Sequence, residues 1–553
     1  MILSAEISEK TFGSNLLYSD VDFEIQEGEK VGLIGRNGTG KSTLFNILCG
    51  NDTDYQGEVR TRRGAVIISS RQEHHGFEDK TVLEYIQGDL PEYKHLTHII
   101  DTYPDTMGDN PRKMQEFSDA LERFGTLEYY QIEDEIKQAF QVYQLDPVLL
   151  HRTLGSLSGG QKRMAELIKV QRSRGDIALI DEPTNHMDYI AKQAFVKWLR
   201  AAKEAVFVIT HDRDVLDTVD RIIEIRDGKS YNFKGNYNAY LRTNKGQISS
   251  EVSTYDLTQK RLVTLKDDVI RFQRMKEKAR NPGTIRRFKS QEQKARDELK
   301  ALSMLEKPSF WIDQDSTSNM HHKLADTYEK YKATNIKVRT RKKSATASSQ
   351  ELIKVDGLSL GYDNTVLFQD INLALRSGER VRLHGRNGTG KTTLVSAIMS
   401  HALGTPLVSQ CAAGVIHTQK GLRIGLYEQE INGKYLSMTL AAALEQIMRD
   451  KNLPISSQRV KQLLSDYLFN PAIDGDMPVR RLSGGQKARV QIISMLADDP
   501  QILILDEPTN HLDLPSIEEL ENALQQYHGA IIYISHDSFL ASKLGGSTVT
   551  IGH

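Results

Sequence analysis

Cysteine is almost missing from this chain: 553 residues carry only Cys49 and Cys411. Two thiols cannot build a disulfide framework or a cysteine-rich zinc site, which fits a reducing compartment. Tryptophan is equally scarce, and no apolar run approaches the ~18–20 residues needed to span a bilayer. The first residues (MILSAEISEKTFG) lack a basic stretch followed by an apolar one, so the expectation is a cytoplasmic protein without a secretory leader. There is no excess of charge of one sign either. Lys and Arg number 72 against 73 Asp and Glu, a net −1 that announces neither nucleic acid nor membrane. What remains is an ordinary globular balance, 39% hydrophobic and 26% charged, on a chain too long for one core. Two or more domains are expected.

The domains are written in the sequence as a repeat. GRNGTGKST at 35–43 returns as GRNGTGKTT at 385–393, an offset of 350. LSGGQK at 157–162, DEPTNHMD at 181–188 and the pair His211-Asp212 all return 325 residues later, as LSGGQK, DEPTNHLD and His536-Asp537. Gln72 and Gln429 differ by 357, which leaves the first copy 32 residues longer between this glutamine and LSGGQ. The reading is two homologous modules, 1–240 and 351–553, the first with a helical insertion at about 87–135. Between them, residues 241–350 hold 25 Lys and Arg against 13 Asp and Glu. A near-neutral total therefore hides a basic connector between acidic modules, an asymmetry that points to a polyanionic partner.

Each GxxxxGK[ST] follows an apolar strand-like run, VGLI at 31–34 or VRLH at 381–384, and precedes a helical pattern. That is the context of a phosphate-binding loop, in which glycines let backbone N–H groups converge on phosphate oxygens beside the positive end of a helix. Lys41 and Lys391 are expected at the β- and γ-phosphates, with the hydroxyls of Ser42 and Thr392 on Mg²⁺. The candidate nucleotide-binding loops are Gly35, Asn37, Gly38, Gly40, Lys41, Ser42 and Thr43, and Gly385, Asn387, Gly388, Gly390, Lys391, Thr392 and Thr393. The runs IALIDE (177–182) and ILILDE (502–507) read as buried strands whose carboxyl ends reach a ligand crevice. Asp181 or Asp506 would then hold the Mg²⁺ shell, while Glu182 or Glu507 could orient and deprotonate an attacking water. His211 and His536, each closing a β-rich run, are candidates to contact the γ-phosphate.

Together, the P-loop, LSGGQ, the strand ending in DE and the following histidine resemble the ATP-binding cassette (ABC) ATPases. LSGGQ is the most specific of these, since other P-loop families lack it. The resemblance implies a head-to-tail sandwich with two composite ATP sites. In one, Lys41, Gln72, Glu182 and His211 meet Ser483 and Gly485, with Gly484 and Gln486 of the same motif. In the other, Lys391, Gln429, Glu507 and His536 meet Ser158 and Gly160, with Gly159 and Gln161. Gln72 and Gln429 would also join the metal shell, and Phe12 and Tyr362 are candidates to stack on adenine. Both bases and both LSGGQ motifs are intact, so two hydrolytic sites are expected.

Two cassettes in one chain, TNHMD and TNHLD after the catalytic acids, and GNYNAYL at 235–241 before a long basic connector resemble the ABC-F family more narrowly. The departures are Met187 where Leu is usual, a Pro-Gly element in the connector, and a second cassette without a basic tail. The fold implied is α/β, two P-loop ABC-type ATPase domains joined by a long α-helical hairpin linker. The partner implied is the ribosome, through rRNA and the P-site tRNA near the exit site. The protein would act as a monomer, with no membrane and no obligate protein partner, either in translation or in protecting ribosomes from antibiotics. An ATPase subunit of a transporter with a separate membrane partner is the alternative, and a DNA-repair ATPase a more distant one.

The connector supports a hairpin directly. Leu262, Leu265, Val269, Phe272 and Met275 form one helical stripe, and Ile285, Phe288, Ala295, Leu299 and Leu302 resume it, with Glu292 interrupting. Asn281-Pro282-Gly283 between them reads as a turn with Pro at its second and Gly at its third position. Residues 271–290 hold eight basic side chains against Glu277 alone. Of these, Arg274, Lys278, Arg280, Arg286, Arg287 and Lys289 are the candidate contacts to RNA phosphates.

Overall fold

The computed structural model describes residues 1–12, 15–71, 73–185, 187–303, 351–362, 365–406, 410–428, 431–467, 469–482, 484–510 and 512–552. The chain divides into two compact units, Met1–Tyr237 with Asn335–His553, and Asn238–Thr334. Gln72, Gln429 and Ser483 lie outside the described residues, as do the side chains of Phe12, Gly484 and Gly485.

In the first unit each cassette has two sheets. In cassette one, β1 (Leu3–Phe12), β2 (Asn15–Tyr18), β3 (Val21–Ile25) and β5 (Gln56–Thr61) make an antiparallel sheet in which β1 pairs with the other three. The second sheet runs β10-β9-β4-β8-β7-β6, with β4 at Lys30–Gly35, β6 at Ile67–Ser69, β7 at Ile177–Asp181, β8 at Ala205–Ile209, β9 at Arg221–Arg226 and β10 at Lys229–Lys234. All its pairings except β9–β10 are parallel. β7 and β8 are buried at every residue, as their unbroken apolar runs IALI and AVFVI require of central parallel strands. The helices are α1 (Lys41–Leu48), α2 (Val82–Gly88), α3 (Tyr93–Thr106), α4 (Pro111–Thr126), α5 (Ile132–Val142), α6 (Gly159–Arg172), α7 (Tyr189–Ala201) and the single turn α8 (Arg213–Leu216). α3 and α4 are an inserted arm within the expected 87–135, and α5 begins inside that range.

Cassette two repeats the plan without the arm. β11 (Glu351–Tyr362) pairs antiparallel with β12 (Thr365–Arg376) and β14 (Gln410–Thr418). A parallel sheet runs β15-β16-β17-β13-β18, built from Ile424–Tyr427, Ile502–Asp506, Ala530–Ile534, Arg380–His384 and Ser547–Thr550. In both cassettes the GxxxxGK loop, the strand-end glutamate and the histidine therefore leave the carboxyl ends of neighbouring parallel strands, the crevice where such sheets bind ligands.

The described part of the second unit is a helical hairpin. Its first leg, α9, runs Tyr237–Lys278, 42 residues or about 63 Å of helix at ~1.5 Å per residue. α10 spans Pro282–Ser303. The Asn-Pro-Gly turn is corrected here: Gly283 is helical, Pro282 is the first helical residue, and Asn281 Oδ1 accepts the Gly283 N–H at 2.8 Å as an N-cap. Leu265 and Ala295 are buried on the inner face, whereas Met275 is 44% exposed and leaves the stripe. Glu292, the break in the stripe, is 7% exposed and holds Lys276 of the facing leg at 2.5 Å and Arg296 at 2.8 Å. Arg261 and Glu298 form a second cross-leg fork at 2.9 and 3.0 Å. Among the described helices, none is long and apolar enough to cross a membrane.

Candidate functional site

The first P-loop links β4 to α1 through Gly40, whose φ of 93° belongs to the left-handed region. A side chain there would also meet the Tyr18 hydroxyl at 2.5 Å and Leu17 at 2.8 Å, so only glycine fits. The Tyr18 hydroxyl donates to the Gly40 carbonyl and pins the turn. Gly390 is in the same state, at φ 94° with Phe368 2.8 Å from its hypothetical Cβ. The lysine amines fold back over their loops: Lys41 Nζ donates to Gly35 O at 2.7 Å and Arg36 O at 3.1 Å, and Lys391 Nζ to Gly385 O at 2.8 Å and Arg386 O at 2.6 Å. Burial pushes both amines below the usual lysine range, opposed by Glu182 and Glu507 respectively.

Beyond β7 and β16 the backbone kinks. Glu182 and Glu507 take φ of 46° and 48°, and their N–H groups donate to Ile209 O and Ile534 O at 2.8 and 3.0 Å. The kink turns each carboxylate off the strand toward the histidine that ends the next one. His536 Nε2 lies 3.3 Å from Glu507 Oε1, and His211 Nε2 3.6 Å from Glu182 Oε1. Burial and the adjacent Asp506 raise Glu507 to about 7, with Lys391 pulling the other way. Glu182 is raised by burial and Asp181, although 24% of its side chain borders the cavity, because protein surrounds that cavity. Burial and Lys391 lower His536 to about 3, and burial and Lys41 lower His211 likewise. At neutral pH both imidazoles are uncharged.

These groups border a cavity of about 1020 Å³. It brings together Asn37, Gly38, Gly40, Lys41, Ser42, Thr43, Asp181, Glu182, His211 and Gly159 of cassette one with Glu507 and His536 of cassette two. Gly35 is the last residue of β4 and is not among the residues lining the cavity. The second P-loop, Gly385 to Thr393, lies outside the residues that line this cavity and stands at the head of the helix Lys391–Leu403 in its own cassette. Ser158 N-caps α6, its Oγ accepting the Gln161 N–H at 3.3 Å while Gln161 Oε1 accepts the Ser158 N–H at 3.0 Å. Gly160 is in that first turn, and Gly484, Gly485 and Gln486 open the matching helix Gly484–Leu496. Tyr362 ends β11 with 45% of its surface open, and Phe12 ends β1.

Several buried polar atoms here have no hydrogen-bond partner among the described residues: Asp506 Oδ1, Glu507 Oε1 and both ring nitrogens of His211 and His536. Unpaired buried groups are costly and call for something to pair with. Thr392 Oγ1 donates to Asp506 Oδ2 at 2.9 Å, so a hydroxyl and a carboxylate with a spare oxygen sit side by side. No group of three His, Cys, Asp or Glu could hold a metal alone among the described residues. One hydroxyl and one carboxylate is the small donor set of a hard cation that arrives with phosphate and keeps its water.

The cassettes meet through two aspartates to which the sequence had assigned no role. Asp513 caps its helix with Oδ1 on Ser516 N at 3.1 Å, and its Oδ2 accepts the N–H of Asn37 in the opposite P-loop at 2.9 Å. Asp188 does the same with Ala191 N at 2.9 Å and Asn387 N at 3.4 Å. Each closes the TNHxD run, and that repeated spacing was the available signal. Beside them, Arg213 pairs with Glu521 across the interface at 2.8 Å, both fully enclosed. Leu16 and Leu17 add apolar side chains to the cavity lining.

Known proteins resemble this arrangement over its whole length. The model of the ABC transporter family matches residues 18–185 and 368–510. YfmR of Bacillus subtilis (strain 168), an uncharacterized ABC transporter ATP-binding protein, is 28% identical over 98% of this chain and 80% of its own. ABC transporter F family member 5 of Arabidopsis thaliana is 26% identical over 98% of this chain and 74% of its own. Among solved structures, an archaeal ribosome recycling factor, aABCE1, in complex with the ribosomal stalk protein aP1, covers 98% of this chain and 90% of its own at TM-score 0.56 and 17% identity. That last likeness is one of fold.

Proposed function

Because the chain belongs to the ABC transporter family, as a twin-cassette ATPase of the ABC-F type, we propose that it binds the ribosome in an ATP-closed form and leaves on hydrolysis. The observation that carries this reading is the charge left over at the hairpin bend. Of the eight cations between 271 and 290, Arg271 is paired with Asp268 at 2.8 Å and Lys276 with Glu292 at 2.5 Å. Arg274, Lys278, Arg280, Arg286, Arg287 and Lys289 are exposed, with no carboxylate in ion-pair reach among the described residues. Unneutralised cations around a bend at the end of a long helix suit the phosphates of folded RNA.

The cassettes supply the timing. Lys41 and Lys391, released from their own carbonyls, neutralise the phosphates, and the P-loop N–H groups cradle them. Ser42 with Asp181, and Thr392 with Asp506, would hold Mg²⁺, which supplies charge neutralisation on the β- and γ-phosphates. Glu182 and Glu507 accept a proton from the attacking water, and neutral His211 and His536 donate N–H toward the γ-phosphate. The signature turns at Ser158–Gly160 and Ser483–Gly485 meet the phosphate held by the other cassette, so its loss loosens the sandwich.

Glu182→Gln with Glu507→Gln tests the reading: ATP binding persists and the variant co-sediments with ribosomes. Neutralising Arg286, Arg287 and Lys289 in that background weakens sedimentation and flattens its salt dependence. A trapped variant found with membranes and not ribosomes would instead support the ATPase of a separate membrane partner. Drug susceptibility on expression then separates a translation factor from ribosomal protection.

A further inference from the structure

Helix α6 carries a row of buried charge that its first-turn chemistry does not need. Arg163, Glu166 and Lys169 follow one another at spacings of three and face inward. Arg163 donates to the Asp181 carbonyl at the end of β7, one residue from the catalytic acid. Glu166 is fully buried and accepts the Arg71 N–H at 2.7 Å and the Tyr85 hydroxyl at 2.5 Å. Lys169, 1% exposed, reaches Glu166 at 2.6 Å and Asp89 at 3.1 Å. Asp89 also accepts from Arg71 at 2.5 Å.

Asp89 caps the end of α2, directly before the arm. Two residues past the C-terminal end of α6, Arg174 donates to Leu127 O at 3.0 Å, Glu128 at 2.6 Å and Glu135 at 2.9 Å, where the arm returns. The arm's two feet are also tied to each other, by Arg123 to Glu92 at 2.6 Å and by the Tyr129 hydroxyl to Pro91 O at 2.7 Å. Helix α6 and the two residues that follow it thus hold both feet of the arm, and its first residue, Gly159, borders the cavity that Glu507 and His536 of the other cassette also line.

Cassette two has no arm, and its matching positions are Ala488, Gln491 and Ser494. Gln491 Oε1 is buried without a hydrogen-bond partner among the described residues. Buried charge gains little over apolar packing as a source of stability, so a network confined to the armed cassette points to a positional duty.

We infer that α6 is a lever joining the nucleotide cavity to the arm's feet, with Tyr85, Glu166 and Lys169 as its positioning residues. Closure of ATP on the first turn of α6 displaces the feet, and a load on the arm is felt at the signature turn. The reciprocity follows from linkage. The inference rests on the proposed reading that the signature turn meets nucleotide.

Hydrogen exchange of the full chain, in the Glu182→Gln, Glu507→Gln background with and without ATP, tests it. Trinitrophenyl-ATP fluorescence on the same samples reports binding separately. ATP is expected to slow exchange about fivefold at the foot amides near 90–94 and 127–135. Glu166→Gln with Lys169→Ser, which installs the side chains of cassette two, is expected to bind ATP within threefold of its parent and lose that response. Tyr85→Phe, which keeps both charges, serves if the pair fails to fold, and should halve the response. Lys169→Arg should keep it. A purely structural role would loosen the feet equally with and without ATP. Feet indifferent to bound ATP in the parent, or equally responsive in the swapped variant, overturn the lever. Absence of ATP binding removes the signature-turn reading and the lever with it.

Discussion

The two signature helices open on the same LSGGQK and diverge within one turn. In α6 the next residues are Arg163 and Met164, and in the second helix they are Ala488 and Arg489. A shift of one residue turns the guanidinium by about 100° around the axis. Arg163 therefore faces the end of β7, whereas Arg489 lies over the Phe469 ring at 5.7 Å. The interface between the cassettes is lopsided too. Arg213 makes a buried pair with Glu521, while its counterpart Ser538 makes a hydroxyl contact to Asp214 at 2.9 Å. The acids, histidines and loops that would carry out chemistry are duplicated, and what differs is their mounting. Duplicate catalysis on unlike mounts should give two sites that perform the same reaction under different control.

Comparing Glu182→Gln with Glu507→Gln tests this most sharply. Each should lower steady-state ATP turnover by ~100-fold or more at its own site, the usual reach of a general base. Single variants that each retain half the parent's turnover would mean independent sites, and the mounts would not matter. The next effect is on stability. Arg213→Ala strands Glu521 with only Lys543, at 2.9 Å, and should destabilise the chain by about 3 kcal/mol, against less than about 1 kcal/mol for Ser538→Ala. Equal losses in urea unfolding would show the interface to be energetically symmetric.

A smaller effect has opposite signs in two glutamates. Glu507 is raised to about 7 in the fold, so the folded protein holds this proton more tightly than the unfolded chain does. Stability contributed by Glu507 falls as pH climbs from about 4.5 through 7, and Glu507→Gln should gain on the order of 1–3 kcal/mol at pH 8 and almost nothing at pH 4. Glu166 is pushed up by burial, yet His74, Lys169 and Tyr85 outweigh that and hold it down at about 2. Its contribution is complete above the unfolded value and is lost as pH falls from about 4.5 toward 2. Thermal melts of the two Gln variants across pH 2–8 should change in different windows, Glu166→Gln below about 4.5 and Glu507→Gln above it, and a flat difference from the parent in either window would refute that assignment.

Much of this was legible in the sequence. Offsets of 325 and 350 located both P-loops, both strand-end acids and both histidines, because each depends on local geometry that a short motif encodes. The legs of the hairpin were readable from periodicity. Three kinds of feature were not. Asp188 and Asp513 act across the interface, which a single cassette's sequence does not reveal. Glu166 and Lys169 have the spacing of an exposed helical pair, and only the fold around Tyr85 and Asp89 buries them. At Asn281-Pro282-Gly283 the same residues suit a turn and a helix start, and the Asn281 cap decided in favour of the helix.

The kinked backbone at Glu182 and Glu507 has one more consequence. A left-handed posture strains any residue with a side chain by about 1–2 kcal/mol, and glycine would relax it. A glycine in either place should therefore make the chain hardier and idle at once. Twice the molecule keeps an acid where its backbone would rest more easily without one, so these two bends are poised for work at the expense of comfort.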